Sequence, residues 1–219
     1  MNASGLWVQL NHLSTATRTL LRDLHFGVEP GQCLTLLGPS GVGKSTLLAA
    51  VAGALELMAS DETPPLRCDA QVWLNGRLIS ALPCHQRRVG LVWQQPTLFA
   101  HLTVAQNLLL AVPGGSKAQR QQQVVQALQH AGLAGFERRH PNTLSGGQAS
   151  RVALMRALLA KPEVLLLDEP FAALDPALRS QLRTWVLAQA REQNIPVVLV
   201  THLAQDIADP QRVLEIAGA

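Results

Sequence analysis

Three short apolar runs, each too brief for a helix and each ending in polar residues, constrain this chain more than any other feature. They are Cys33–Leu37, Val164–Leu167 and Val197–Val200. Runs without alternation read as strands buried on both faces, and the last is rich in β-branched residues. Helical patterns fill the intervals at Lys44–Ala54, Lys117–Ala131, Gly147–Ala160 and Pro176–Glu192. Strands alternating with helices predict a parallel sheet covered on both sides. Ligands bind such sheets beyond the carboxyl ends of the strands. Here those ends lead into a glycine-rich loop, Asp168-Glu169 and Thr201-His202, so one site fed by all three is expected.

The loop is Gly38-Pro39-Ser40-Gly41-Val42-Gly43-Lys44-Ser45-Thr46, which fits the phosphate-loop pattern G-x-x-x-x-G-K-[ST]. Its glycines let successive N–H groups point inward as an anion nest, and the following helix adds its positive end. Lys44 supplies a point charge to the β- and γ-phosphates, and the Ser45 hydroxyl can ligate Mg²⁺. Asp168 ends a buried strand, placed to hold Mg²⁺ through water, and Glu169 is the candidate to polarise an attacking water. Either carboxylate alone could instead cap the turn at Pro170. As a pair behind a phosphate loop they imply ATP binding and hydrolysis, with ATP and Mg²⁺ as cofactors.

Ser145-Gly146-Gly147-Gln148 opens another helix. Ser145 can serve as its N-cap, yet the two glycines also bare a second, lysine-free anion site. One full phosphate loop and one half-site on a single chain suggest two copies packed head to tail.

These segments together resemble the ATP-binding subunits of ABC transporters over nearly the full length. Gly38–Thr46 resembles the Walker A loop, Leu144–Gln148 the signature, and Val164–Glu169 the Walker B strand with its catalytic glutamate. Ala173-Leu174-Asp175 resembles the D-loop, which adds Asp175 to the nucleotide-binding set. His202 resembles the switch histidine, and Gln94, after Val89–Trp93, the Q-loop residue that senses Mg²⁺ and water. The resemblance implies catalytic Glu169, His202 and Gln94, and metal-holding Ser45, Gln94 and Asp168. It implies an α/β P-loop NTPase (RecA-like) core with a mainly parallel sheet, a small antiparallel β region and an inserted helical subdomain. The whole of 1–219 is then one domain, with the core at 1–95 and 157–219 and the signature subdomain at 96–156. It also implies transmembrane permease subunits as partners, an external solute-binding protein indirectly, and a peripheral position on the cytoplasmic face of the cell membrane. The run Leu98–Val104 with Gln106-Asn107, and Arg87-Arg88-Val89-Gly90, resemble importer ATPases for oxyanions, iron or thiamine. Gln106–Ala111 and Val152–Pro162 resemble YnjD-type bacterial ATPases in particular. Exporters and lipid-extracting ATPases share the catalytic motifs and are the alternative; a non-transport ABC ATPase is the lesser one.

Other features bound the reading. No stretch has membrane-spanning length, and Met1–Leu10 lacks a leader's basic start and apolar middle, so a soluble chain is expected. The three cysteines lack metal-type spacing, and Cys33 reads as core. Net charge is +3 without a basic stripe interleaved with aromatics, which argues against nucleic acid. Glu56–Pro65 reads as a surface loop, Pro113–Ser116 as a break, and Val72-Trp73-Leu74-Asn75-Gly76 as a hairpin. The glutamines of 119–126 read as a solvated face. Where relatives stack adenine on an aromatic ring, Asn11–Arg18 has only His12 and there is no Tyr. Trp7 reads as core within the first strand. The chain stops at Ala219, so no C-terminal regulatory domain is expected.

Overall fold

The computed structural model describes residues 4–58 and 65–217. The loop expected at Glu56–Pro65 therefore lies mostly outside the described residues, after a short 3-10 turn at Leu55–Met58. Two sheets form the frame. The first is antiparallel and contains β1 (Leu6–Ser14), β2 (Thr19–Val28), β4 (Arg67–Leu74) and β5 (Arg77–Leu78), in the order β2-β1-β4-β5. The second contains β3 (Cys33–Leu37), β6 (Val89–Val92), β7 (Val164–Asp168), β8 (Val197–Val200) and β9 (Val213–Glu215). Its order is β6-β7-β8-β3-β9, and its neighbouring pairs are parallel. The three apolar runs are thus its central strands.

Why those runs do not alternate is visible in the layers. Val164, Leu166, Val198 and Val200 pack toward α1 (Lys44–Ala52) and the antiparallel sheet. Leu165, Leu167, Val197 and Leu199 pack toward the helices on the opposite side. A strand with two dry faces needs apolar residues at every position. The opposite layer holds α2 (Val104–Leu109), α3 (Lys117–His130), α4 (Gly146–Leu159) and α5 (Pro176–Glu192). Thr103, Ser116 and Ser145 each close α2, α3 and α4 with a capping box to Gln106, Gln119 and Gln148. Gln119, Gln121, Gln122 and Gln126 are exposed, as a solvated face requires. The expected hairpin is present, with Asn75 and Gly76 both at positive φ (51° and 76°) between β4 and β5.

Two expectations are corrected. Trp7 is not core: Leu6, Val8 and Leu10 take the inward positions of β1, so alternation turns Trp7 outward, where it is 38% exposed and covers Gly27. Asn11–Arg18 is not one connecting stretch. β1 continues to Ser14, and the turn is confined to residues 15–18, closed by Thr15 N–H donating to the Arg18 carbonyl at 2.8 Å.

Candidate active site

β3 ends at Leu37, and the chain turns through residues 38–43 into α1. Gly41 and Gly43 take φ of 78° and 107°, a region that side chains with a Cβ avoid. Val42 points away into the core at 4% exposure and anchors the loop from below. Lys44 Nζ donates to the Gly38 and Pro39 carbonyls, both at 2.8 Å, so the ammonium spans the loop it closes. Ser40, Gly41, Gly43, Lys44, Ser45 and Thr46 line a cavity of about 330 Å³.

The far wall of that cavity comes from the other strand ends. Asp168 closes β7, is almost fully buried, and lies beside the Ser45 hydroxyl. Burial pushes its carboxyl above the usual range and nearby Glu169 adds to this, while Ser45 and the Lys44 ammonium pull it down. Glu169 follows with φ of 46°, a left-handed conformation that aims its side chain away from Asp168. Its carboxylate meets two groups. Gln94, two residues beyond β6, donates from Nε2 to Oε2 at 3.2 Å, and His202, two beyond β8, lies with Nδ1 3.0 Å from Oε1. Gln94, Glu169 and His202 all line the cavity. Behind His202, the Thr201 hydroxyl donates to Asp206 Oδ2 at 3.1 Å and accepts from Leu203 N–H, which fixes the turn.

Ser145, Gly146, Gly147, Gln148 and Asp175 lie elsewhere and do not line this cavity. Ser145 accepts from Gln148 N–H at 3.3 Å as the cap of α4, and Asp175 accepts from Leu178 N–H at 3.0 Å as the cap of α5. The two segments touch each other: a Cβ at Gly147 would stand 2.8 Å from the Ala173 carbonyl oxygen. His12 is exposed within β1 and is not a cavity residue, whereas Leu20 of β2 is.

Arg87, Asn107 and Arg156, each within a run that resembles the family, have structural roles that the resemblance did not give. The buried Arg87 guanidinium donates to the Ala50, Val51, Ser80 and Leu82 carbonyls at 2.7–3.0 Å, which ties the end of α1 to the segment before β6. Fully buried Asn107 accepts from Phe99 N–H and donates to the Phe99, Leu102 and Thr103 carbonyls, pinning the loop before α2. Arg156 on α4 donates to the Thr97 carbonyl at 2.6 Å, three residues past Gln94. Only the bonding geometry distinguishes these arginines from surface ones.

A phosphate loop facing two carboxylates, a glutamine and a histidine across one sheet end defines a P-loop ATPase of the ATP-binding cassette type. The ABC transporter family profile matches residues 21–172, and the chain belongs to that family, as an ATP-binding subunit related to YnjD-like proteins. It is 47% identical over 199 residues to the uncharacterized ABC transporter ATP-binding protein YnjD of Escherichia coli K12, covering 90% of this chain and 88% of that one. The sulfate/thiosulfate import ATP-binding protein CysA of Gloeobacter violaceus is 44% identical over 89% of this chain, which spans 53% of that protein's length. The thiamine import ATP-binding protein ThiQ of Vibrio vulnificus is 42% identical over 82% of this chain and 73% of its own. Among solved structures, the dimeric, post-hydrolysis ATP-binding cassette MJ0796 bound to ADP and Pi superposes with a TM-score of 0.81 at 27% identity, covering 95% and 94% of the two chains.

Proposed function

We propose that this chain drives uptake of a solute across a membrane, hydrolysing ATP as a dimer in which each copy completes the other's site. The observation that carries the catalytic reading is Glu169, held by His202 at 3.0 Å and Gln94 at 3.2 Å in a cavity opposite Lys44. The γ-phosphate sits against Lys44 and the loop N–H groups. Glu169 takes a proton from water as its oxygen bonds to the γ-phosphorus and the bond to the β–γ bridging oxygen breaks. His202 and Gln94 orient that carboxylate. The Ser45 hydroxyl, the Asp168 carboxylate and the Gln94 amide oxygen form an all-oxygen set that suits Mg²⁺ shared with phosphate and water. When bound, Mg²⁺ neutralises charge on the β- and γ-oxygens. Among the described residues no His/Cys/Asp/Glu cluster competes as a metal cage.

The signature residues Ser145, Gly146, Gly147 and Gln148, with Asp175, act on the ATP of the second copy. Their absence from the lining of their own chain's cavity supports this, as does the dimeric form of the related MJ0796 cassette. Among the described residues no helix is long and apolar enough to cross a membrane, so permease subunits supply the path. Exposed Phe99 and Leu110, beside a cleft bounded by Trp93, Thr97 and Arg156, form the surface on which a permease presses from the membrane's cytoplasmic side. Residues 96–156 turn as a subdomain about Gln94, with Arg156 coupling α4 to the hinge. The import direction is supported by the names of the CysA and ThiQ relatives, and an external binding protein selects the solute.

The test is capture of the membrane partner on this chain, followed by reconstitution in vesicles with ATP on the side of this subunit. Import is expected, and Glu169→Gln should abolish it while leaving ATP bound. Transport in the opposite direction overturns the import assignment; near-normal turnover by the variant overturns the role of Glu169.

A further inference from the structure

Between Glu169 and the cap Asp175 the chain makes one tight loop, and a single side chain gathers it. Arg179 on α5 donates from Nε to the Phe171 carbonyl at 3.1 Å, and from Nη2 to the Ala172 and Leu174 carbonyls at 3.0 and 3.2 Å. The remaining carbonyl of that run, on Ala173, lies against Gly147. Little in α5 itself asks for an arginine here. The residue follows the Asp175 cap and Pro176 by less than a full turn, and its own N–H donates to the Asp175 carbonyl at 2.9 Å. A cation near a helix N-terminus runs against the helix dipole. Among the described residues Arg179 has no ion pair, so its guanidinium meets backbone oxygens alone.

The loop has a physical need for such a clamp. Glu169 sits at φ of 46°, a left-handed conformation that a residue with a Cβ holds only where its surroundings enforce it. On one side its N–H donates to the Val200 carbonyl at 3.0 Å, which ties it to β8. On the other its carbonyl accepts from Ala172 N–H at 3.2 Å, and the Ala172 carbonyl is held by Arg179. A relay of two hydrogen bonds therefore leads from the guanidinium to the Glu169 backbone. It crosses a loop that is exposed at Ala172 and Ala173, where packing alone gives little restraint.

We propose that Arg179 is a positioning residue for ATP hydrolysis: its fork holds Phe171–Leu174 so that Glu169 keeps the left-handed turn that sets its carboxylate between Gln94 and His202. The assignment rests on the role proposed for Glu169. Arg179 does not line the nucleotide cavity, so it acts on the rate of turnover and not on the grip on nucleotide. The planar guanidinium offers donors in fixed directions to carbonyls of three successive positions in the loop's path, which the point charge of a lysine does not reproduce.

The experiment is ATP hydrolysis by the full chain with Mg²⁺, in single-turnover mode for slow variants, with equilibrium binding of Mg-ADP alongside. Arg179→Gln should lower kcat roughly tenfold or more and leave KM and Mg-ADP affinity within about twofold. Arg191→Gln, which removes the same charge from the far end of α5, should leave the rate unchanged. Arg179→Lys keeps the charge without the fork and should recover less than half of the native rate. The deciding measurement is made in the Glu169→Gln background. There Arg179→Gln should cost less than about twofold more, because two residues that act through one carboxylate do not add. Equal losses in both backgrounds, weakened Mg-ADP binding by Arg179→Gln, or a native rate in the Gln or Lys variant overturns the assignment. Near-normal turnover by Glu169→Gln alone shows before Arg179 is touched, and overturns the reading of Glu169 instead.

Discussion

Replacing Arg87 with Met tests how the phosphate-loop helix is held. The guanidinium meets four carbonyl oxygens at 2.7–3.0 Å, two of them, Ala50 and Val51, in the last turn of α1. A hydrogen bond to a charged group contributes about 1.5–3 kcal/mol, and a cation at a helix C-terminus about 0.3–1 kcal/mol more. These do not add, because one side chain makes them all and its burial disfavours the charge, lowering the Arg87 pKa. Met fills similar volume but leaves four carbonyls facing an apolar chain. The expected net loss is about 3–5 kcal/mol, which in a chain of this length lowers the melting temperature by roughly 6–20 °C. Arg87→Lys concentrates its donors at one point, reaches only part of the set, and should lose about half as much. Guanidinium denaturation followed by circular dichroism reads both. A loss below ~1 kcal/mol for Arg87→Met, or a Lys variant equal to the native chain, refutes the argument.

Mixing a Lys44→Ala chain with a Ser145→Arg chain should restore hydrolysis that neither shows alone, because the mixed dimer keeps one intact composite site; no recovery in a proven mixed dimer refutes sharing between copies. Asp168→Asn should abolish Mg²⁺-dependent turnover yet raise the melting temperature at neutral pH. The sign follows from its raised pKa: the native chain holds this proton more tightly than the unfolded one, so stability falls as pH rises through the folded pKa, and Asn removes that loss. A gain persisting well below the usual carboxylate range would contradict it. Leu20→Ala should weaken ATP about tenfold, from loss of ~1.5 kcal/mol of apolar packing, while His12→Ala changes nothing; equilibrium nucleotide binding measures both.

What the sequence disclosed, it disclosed through period and motif. Strands dry on both faces could be read from Val164–Leu167 and Val197–Val200 because their lack of alternation has one physical cause. Gln94, Glu169 and His202 could be expected on one rim because each follows a parallel strand. Trp7 was misplaced because aromatic character alone does not say which face of an alternating strand a residue takes; Leu6, Val8 and Leu10 decide it. Leu20 was invisible because an aliphatic residue in a strand carries no mark of the cavity it borders. Arg87, Asn107 and Arg156 were noticed only as parts of family-like runs, and their roles stayed hidden: their partners are backbone carbonyls, which every residue has, so only folding reveals which are met.

In the rotation proposed above, the contact at Gly147 bears on how freely the helical part would turn. With no side chain at 147, the start of α4 comes close against the Ala173 carbonyl, with the Leu174 side chain beside it. In mechanical language it is a plain bearing rather than a gear. An alanine at 147 would add one protruding methyl at 2.8 Å, and its penalty would fall on every swing of the subdomain. Such a variant would cycle slowly, because the missing side chain is what keeps friction low where the two segments pass.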